Sequence, residues 1–381
     1  MIPRSRTFAF LFGFCMLAAC GDGVLADDAE KQPGRWTPGR AMKWYAEQPW
    51  MVGCNFIPSS AINQLEMWQA ETFDPKTIDR ELGWAASLGF NSVRVFLHDI
   101  PWREDAAGYF RRIDQYLEIA ARHGIGTMFV LFDGCWDPQP KPGPQRMPSP
   151  GVHNSGWVQS PGADILGDAV KTEGLKDYVT AVISRYKNDR RVQVWDLFNE
   201  PDNPNKMYRK TELKEKDMAA ARLVEKSFAW AREVAPSQPL TVCVWGDSPW
   251  DDVTKLKKVQ RLALEQSDVI SFHGYDDSNA TELRIKELHS YGRPLLCTEY
   301  LARGYKSTFE AILPVLKRHR VAAYNWGLVD GKTQTKYPWE TWKTPGKGDP
   351  MPWHHEIFRT NGDPYSEPEI RLLRELTGSR K

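Results

Sequence analysis

The stretch Val194-Trp195-Asp196-Leu197-Phe198-Asn199-Glu200-Pro201 decides the fold. An apolar run ends in an amide, a carboxyl and a proline; because proline has no amide hydrogen to give a neighbouring strand, the strand stops there and Glu200 is left on its rim. A second run, Pro294-Leu295-Leu296-Cys297-Thr298-Glu299-Tyr300, places Glu299 in the corresponding position. The two acids stand 299 − 200 = 99 positions apart, the length of three ordinary strand-helix units. They are therefore expected at the ends of the fourth and seventh strands of one sheet, facing each other across its mouth.

Working outward, eight short apolar runs recur at 50–56, 92–97, 127–132, 192–198, 240–245, 269–272, 294–298 and 321–326. Amphipathic segments separate them, the pattern of a parallel sheet covered on its outside. Eight is the number that closes a barrel. Helix edges are readable: Asp74 with Pro75 offers a cap and a first-turn proline, Ile78, Leu82 and Ala85 make the inner stripe, and Gly89 ends the helix. Ile113, Tyr116, Leu117 and Ala120 form a second stripe, and Leu175, Tyr178, Val179, Val182, Ile183 and Tyr186 a third. Later helices are predicted over 211–234, 254–266, 278–291, 307–319 and 367–376. The expected fold is α/β, a single (β/α)8 TIM barrel over 36–381. The Pro/Gly-rich connection 134–164, with Trp136, Arg146, His153 and Trp157, exceeds the usual strand-to-helix loop and is expected to wall the cleft.

Composition narrows the partners. The 381 residues carry 50 Lys+Arg and 49 Asp+Glu, a net charge of +1, and no basic run restores the phosphate attraction that nucleic-acid binding needs. The 16 Trp and 13 Tyr supply broad rings that suit sugars as well as cores. Arg4 and Arg6, an apolar stretch over 8–18 and Leu17-Ala18-Ala19-Cys20 resemble a bacterial lipoprotein signal. On that reading 1–19 is removed, Cys20 is lipidated and 20–35 is a flexible tether. The protein is then an exported periplasmic or outer-membrane lipoprotein, Gly21 after the cysteine favouring the outer membrane. Cleavage after Val24-Leu25-Ala26 would instead give a soluble secreted protein. Membrane contact is expected only through the Cys20 anchor, and the chain is expected to be a monomer. Cys54, Cys135, Cys243 and Cys297 remain in the folded part. They match no zinc spacing; Cys243 and Cys297 read as core thiols, and Cys54 with Cys135 as a pair able to bridge.

Two opposed carboxyls can deliver a proton to a glycosidic oxygen and provide a negative charge, or a covalent partner, at the anomeric carbon. One must be held protonated and the other ionised. Asn199-Glu200-Pro201, Glu299, His273-Gly274-Tyr275 after the sixth strand, Trp326 after the eighth and Arg94 on the second together resemble the clan A glycoside hydrolases, closest to family 5, the cellulase-like family. The resemblance implies that Glu200 is the acid/base and Glu299 the nucleophile of a retaining double displacement. It further implies that Asn199 binds the sugar 2-hydroxyl, Tyr275 donates to Glu299, His273 orients Glu200, Arg94 lowers the nucleophile's pKa, and Trp326 floors the sugar subsite. Family 5 members generally have a histidine at the end of the third strand, where this chain has Asp133; His98 is the candidate substitute. Trp136 and Trp245 are further candidates for sugar contact, while Trp339 and Trp342 fit stacking and rim packing equally.

His354-His355-Glu356 and His98-Asp99 lack a metal-site spacing and no Gly-rich phosphate loop is present, so neither a cofactor nor a catalytic metal is expected. The expected function is retaining cleavage of a β-linked oligo- or polysaccharide. A non-catalytic, lipid-anchored carbohydrate-binding barrel and a transglycosylase are the alternatives. The sugar, and whether action is exo or endo, is left open.

Overall fold

The computed structural model describes Met1, residues 34–247 and residues 249–379. Cys15, Cys20, the expected signal over 1–19 apart from Met1, and nearly all of the 20–35 tether lie outside the described residues. The chain divides into Met1–Pro33 and Gly34–Lys381, and every element below belongs to the second unit.

Eight strands make its centre: β1 (Val52–Asn55), β2 (Ser92–Phe96), β3 (Gly126–Asp133), β4 (Val192–Asn199), β5 (Leu240–Thr241), β6 (Ile270–His273), β7 (Leu295–Tyr300) and β8 (Ala322–Trp326). Their ladders are parallel, in the order β5-β4-β3-β2-β1-β8-β7-β6. A parallel bridge from Val244, just past β5, to Phe272 of β6 joins the two ends. The result is the expected (β/α)8 barrel. β5 is shorter than the predicted 240–245 because the Val242 amide donates to the Ser267 hydroxyl at 3.1 Å rather than to a strand carbonyl.

Alternation along each strand sorts its side chains. Trp195 and Leu197 join the core between strands and helices, whereas Val194 packs at the bottom of the barrel and Asp196 meets Arg94 inside it. The bottom is closed by a helix the sequence pattern did not reveal, Pro38–Ala46, capped by Thr37. Its Ala41 and Tyr45 pack with Trp36 against Met51, Met128, Val194 and Leu296.

The outer helices include Pro75–Ser87, Ala106–Arg122, Leu175–Tyr186, Ser278–His289, Phe309–Arg318 and Glu367–Thr377. Two begin later than predicted. Lys216–Val234 follows a turn in which the Glu212 carboxylate accepts from Asn205, Gln159 and Lys216. Lys258–Gln266 follows Asp252, whose side chain accepts from the Thr254 amide and hydroxyl; such local bonds compete with helix.

Cys54 and Cys135 do not bridge; both are free thiols. Cys54 sits in the packed core around β1, whereas Cys135 stands at the open end beside Glu200. Cys243 and Cys297 are buried, as expected of core thiols.

At the open end, the segment after β8 is anchored by Arg303. This buried guanidinium donates to Glu369 of the last helix at 2.8 and 2.6 Å and to the carbonyls of Trp353, His355 and Glu356. Arg303→Met would strand a buried carboxylate and three carbonyls, a loss of about 3–5 kcal/mol. Urea unfolding should show it, and a loss below about 1 kcal/mol, the scale of a surface pair, would contradict this role.

Candidate active site

The strand ends bring the two acids together. Glu200 follows β4 and Glu299 lies within β7, and one donor atom each of Glu200, His273 and Glu299 lies within 4.8 Å of the others. One oxygen of each carboxyl thus approaches the other to within 4.8 Å, an approach compatible with the ~5–5.5 Å carboxyl separation of retaining glycosidases. These three are also donor types that can hold a cation, though a guanidinium already neutralises one of the carboxylates.

That guanidinium is Arg94 of β2, wholly buried. It donates to Asp196 at 2.7 and 3.0 Å, to the Asn199 and Asn55 side-chain oxygens at 2.7 and 2.8 Å, and to Glu299 Oε1 at 3.0 Å. Arg94 therefore contacts the nucleophile candidate, as the resemblance implies, and also neutralises the barrel carboxylate Asp196. Tyr275 donates to Glu299 Oε2 at 2.7 Å; burial pushes its hydroxyl far above the usual range, so it stays a donor.

Glu200 has different partners. Its Oε1 lies 2.7 Å from His273 Nδ1, and its Oε2 accepts from Asn203 Nδ2 at 2.6 Å and the Cys135 thiol at 3.3 Å. Burial lowers the His273 pKa to about 4, so the ring is neutral near pH 7. A neutral imidazole can donate to an ionised Glu200 or accept from a protonated one. Burial pushes both glutamates upward; with His273 neutral, the push on Glu299 is opposed by Arg94 and the Tyr275 hydrogen bond, that on Glu200 first by Asn203 and Cys135. Only Glu299 touches the buried cation, so a proton shared by the pair resides on Glu200.

The backbone at Glu200 is strained, with φ 38°. Its amide donates to Cys243 Sγ at 3.2 Å, and Gly134 packs so closely that a Cβ there would meet the Glu200 carbonyl at 2.3 Å. Such a conformation costs on the order of 1–3 kcal/mol and persists where surrounding contacts determine it.

Glu200 and Glu299 line a cavity of about 420 Å³, together with Asn199, Tyr275, Trp326, Trp136 and Trp245. Trp326 is braced edge-on by Phe96 and Trp157 at 5.8 and 5.7 Å. His98 is not there. It is fully buried at the start of the helix Asp99–Glu104, its Nε2 donating to the Gln159 carbonyl at 3.0 Å and its Nδ1 accepting from the Ile100 amide. It cannot substitute for the missing histidine. Asp133 occupies that place, accepting from Asn199 Nδ2 at 2.9 Å, Trp157 Nε1 at 2.6 Å and Gln64 Nε2 at 3.0 Å. It thereby ties the amide beside Glu200 to the tryptophan that braces Trp326.

Asn203 and Cys135 were missed as partners of Glu200. The only signal for Asn203 was its place three residues on, in the turn that Pro201 forces. His153 and His355 also line the cavity, as does Trp339, while Trp342 stacks on Trp136 at 5.3 Å. The histidines are kept neutral by burial, His153 at about 4 and His355 well below its usual value.

Comparison with known proteins agrees with this geometry at a coarse level. Residues 152–260 match a model of glycosyl hydrolase family 10. A beta-1,4-xylanase of Dictyoglomus thermophilum is 31% identical over 127 residues, 32% of this chain and 33% of that protein, so the chain spans about a third of that relative's length in the match. Among solved structures, the exo-beta-1,4-mannosidase Op5Man5 from Opitutaceae bacterium strain TAV5 has TM-score 0.57 at 19% identity, over 86% of this chain and 60% of that one. The endo-beta-1,4-mannanase from Thermotoga petrophila has TM-score 0.54 at 15% identity, over 86% and 76%. At these identities the two structures show the shared fold. The matched family is 10, where the motif resemblance named 5; the level at which the findings agree is clan A.

Glu356 lies under this site, in a small cavity bounded by Trp326, Trp157 and Phe96. Its Oε1 accepts from Thr335, its Oε2 has no partner among the described residues, and burial raises its pKa to about 8. Below an unfolded value of about 4.3 the carboxyl is protonated in both states. Between there and about 8 only the unfolded chain releases the proton, so its contribution to stability falls as pH rises. Glu356→Gln removes that term. Urea unfolding of both proteins from pH 5 to 8 should show the variant gaining on the parent as pH increases, and parallel curves would contradict the buried neutral acid.

Proposed function

We propose that the protein is a retaining clan A glycoside hydrolase that cleaves a β-linked glycosidic bond of a carbohydrate substrate. The observation that carries this is a pair of carboxyls with an oxygen of each within 4.8 Å of the other, one held by a guanidinium and a phenol, the other by a neutral histidine, in a tryptophan-lined cavity. In the first step Glu299 attacks the anomeric carbon while Glu200 gives its proton to the departing oxygen, and the bond between them breaks. In the second, Glu200 takes a proton from water, whose oxygen displaces Glu299 and restores the β configuration. Asn199 serves the sugar 2-hydroxyl, where contacts strengthen as positive charge develops. Arg94 and Tyr275 keep Glu299 ionised, and Trp326 offers its face to the sugar.

Within the clan, the set His273, Tyr275, Glu299 and Trp326 favours the family 5 pattern. The 152–260 match favours family 10, and Asp133 departs from the family 5 histidine. The xylanase and mannanase likenesses support a β-1,4-linked substrate. Two opposed, differently tuned acids favour an enzyme over a sugar-binding barrel, since binding alone needs neither.

Residues 36–381 are proposed as the catalytic domain, exported and held by a lipid on Cys20. Labelled palmitate should enter the parent and not Cys20→Ala; equal labelling would remove the anchor from this reading.

Glu200→Ala should lose on the order of 10²–10⁴ in kcat on substrates with a poor leaving group. Glu299→Ala should be inactive, and azide should restore turnover with inverted anomeric configuration. Both variants should unfold cooperatively like the parent, and near-parental hydrolysis by either would overturn the assignment.

A further inference from the structure

The residues that line the cavity fall into two sets that differ in burial and chemistry. In the proposed reaction the sugar under attack lies over Glu299, and the leaving group lies beside Glu200, which must reach the departing oxygen. Across the barrel from Glu200, where Trp157 packs on Phe96 of β2 and Trp326 of β8, the cavity is lined by His153, Asn154, Trp157 and His355, none more than 2% exposed. These residues come from two connections, those after β3 and β8, that are sewn together. The Asn154 amide donates to the Thr333 carbonyl at 2.8 Å, the Gly346 amide to the Gly151 carbonyl at 2.8 Å, and His153 Nδ1 to the Tyr337 carbonyl at 2.7 Å. The His153 amide adds a bond to Thr341 Oγ1 at 3.0 Å. His355 is pinned from behind by its own ring bond to the Leu301 carbonyl and by the donation of Arg303 to its carbonyl.

Next to Glu200 the walls are low. Pro204 and Lys206 are exposed, Met207 is 44% exposed, and Trp245, in the connection after β5, is half-buried. A polymer lying through a groove would need both ends open, with room for further sugars beyond the one over Glu299. Here that direction ends in buried histidine, asparagine and tryptophan held by backbone hydrogen bonds.

We propose that the enzyme is exo-acting: the single non-reducing terminal sugar of a β-linked chain fills the walled side, the rest of the chain leaves past Trp245, and monosaccharide is released. This rests on the glycoside hydrolase reading above and adds the substrate class, a chain end rather than a chain interior. Placing His355 and Asn154 in the walled side also assigns them the outer hydroxyls of that terminal sugar.

The test uses the full chain with xylo-, manno- and cello-tetraose labelled at the reducing end, alongside aryl β-monosides and aryl β-biosides of the same sugars. The expected early products are monosaccharide and labelled trisaccharide, with labelled disaccharide appearing only after the trisaccharide. Aryl monosides should release phenol directly, and aryl biosides only after loss of their terminal sugar. Turnover of a monoside with no tetraose cut also supports a one-sugar pocket. Early labelled disaccharide, or intact disaccharide split from an aryl bioside, overturns exo action while leaving the hydrolase reading in place. No turnover of any of these substrates overturns both.

Discussion

The guanidinium of Arg94 is the group on which the rest of this site depends. It is buried inside the barrel and bonded to side chains from three other strands, Asn55 of β1, Asp196 and Asn199 of β4, and Glu299 of β7. A cation removed from water is tolerated only when its donors are all engaged with acceptors in good geometry. Here that requirement fixes the amide of Asn199 and the carboxylate of Glu299 in one constellation. The same bonds that make the charge tolerable in the barrel thus position the groups that would do the chemistry.

One cation facing Asp196, Glu299 and Glu200 also sets the protonation pattern. It is in contact with the first two and not with the third, whose neighbours are Asn203, Cys135 and a neutral His273. Two carboxyls that are equivalent by residue type become unequal by environment, the condition an acid and a nucleophile require. The left-handed backbone at Glu200, held against Gly134 and Cys243, aims the acid across the mouth instead of along its strand.

Outside that centre, the proposed preference for a chain end belongs to the connections after β3 and β8. They form a wall because their backbone groups bond each other, and the buried pair Arg303–Glu369 ties the second of them to the last helix. The fold supplies a ring with an open top; these segments decide how much of a polymer the top can admit.

The sequence by itself determined the barrel, since eight apolar runs alternating with amphipathic segments have few other ways to bury their surfaces. It also determined the two acids, since Pro201 ends β4 beside Glu200 and the 99-residue spacing returns Glu299 to the same rim. Tyr275, His273 and Arg94 were legible through the resemblance to clan A glycoside hydrolases, which assigned those positions in the order of the strands. Only tertiary structure decided that Cys54 and Cys135 stay apart, that His98 is a helix cap bonded to Gln159, and that Asp133 holds Asn199. It alone brought His355 and Asn154 to one wall, from positions some two hundred residues apart in the chain. Periodicity reports which face a residue presents within its own element. It carries no information on where irregular segments meet, because there the partners are backbone groups that every residue has.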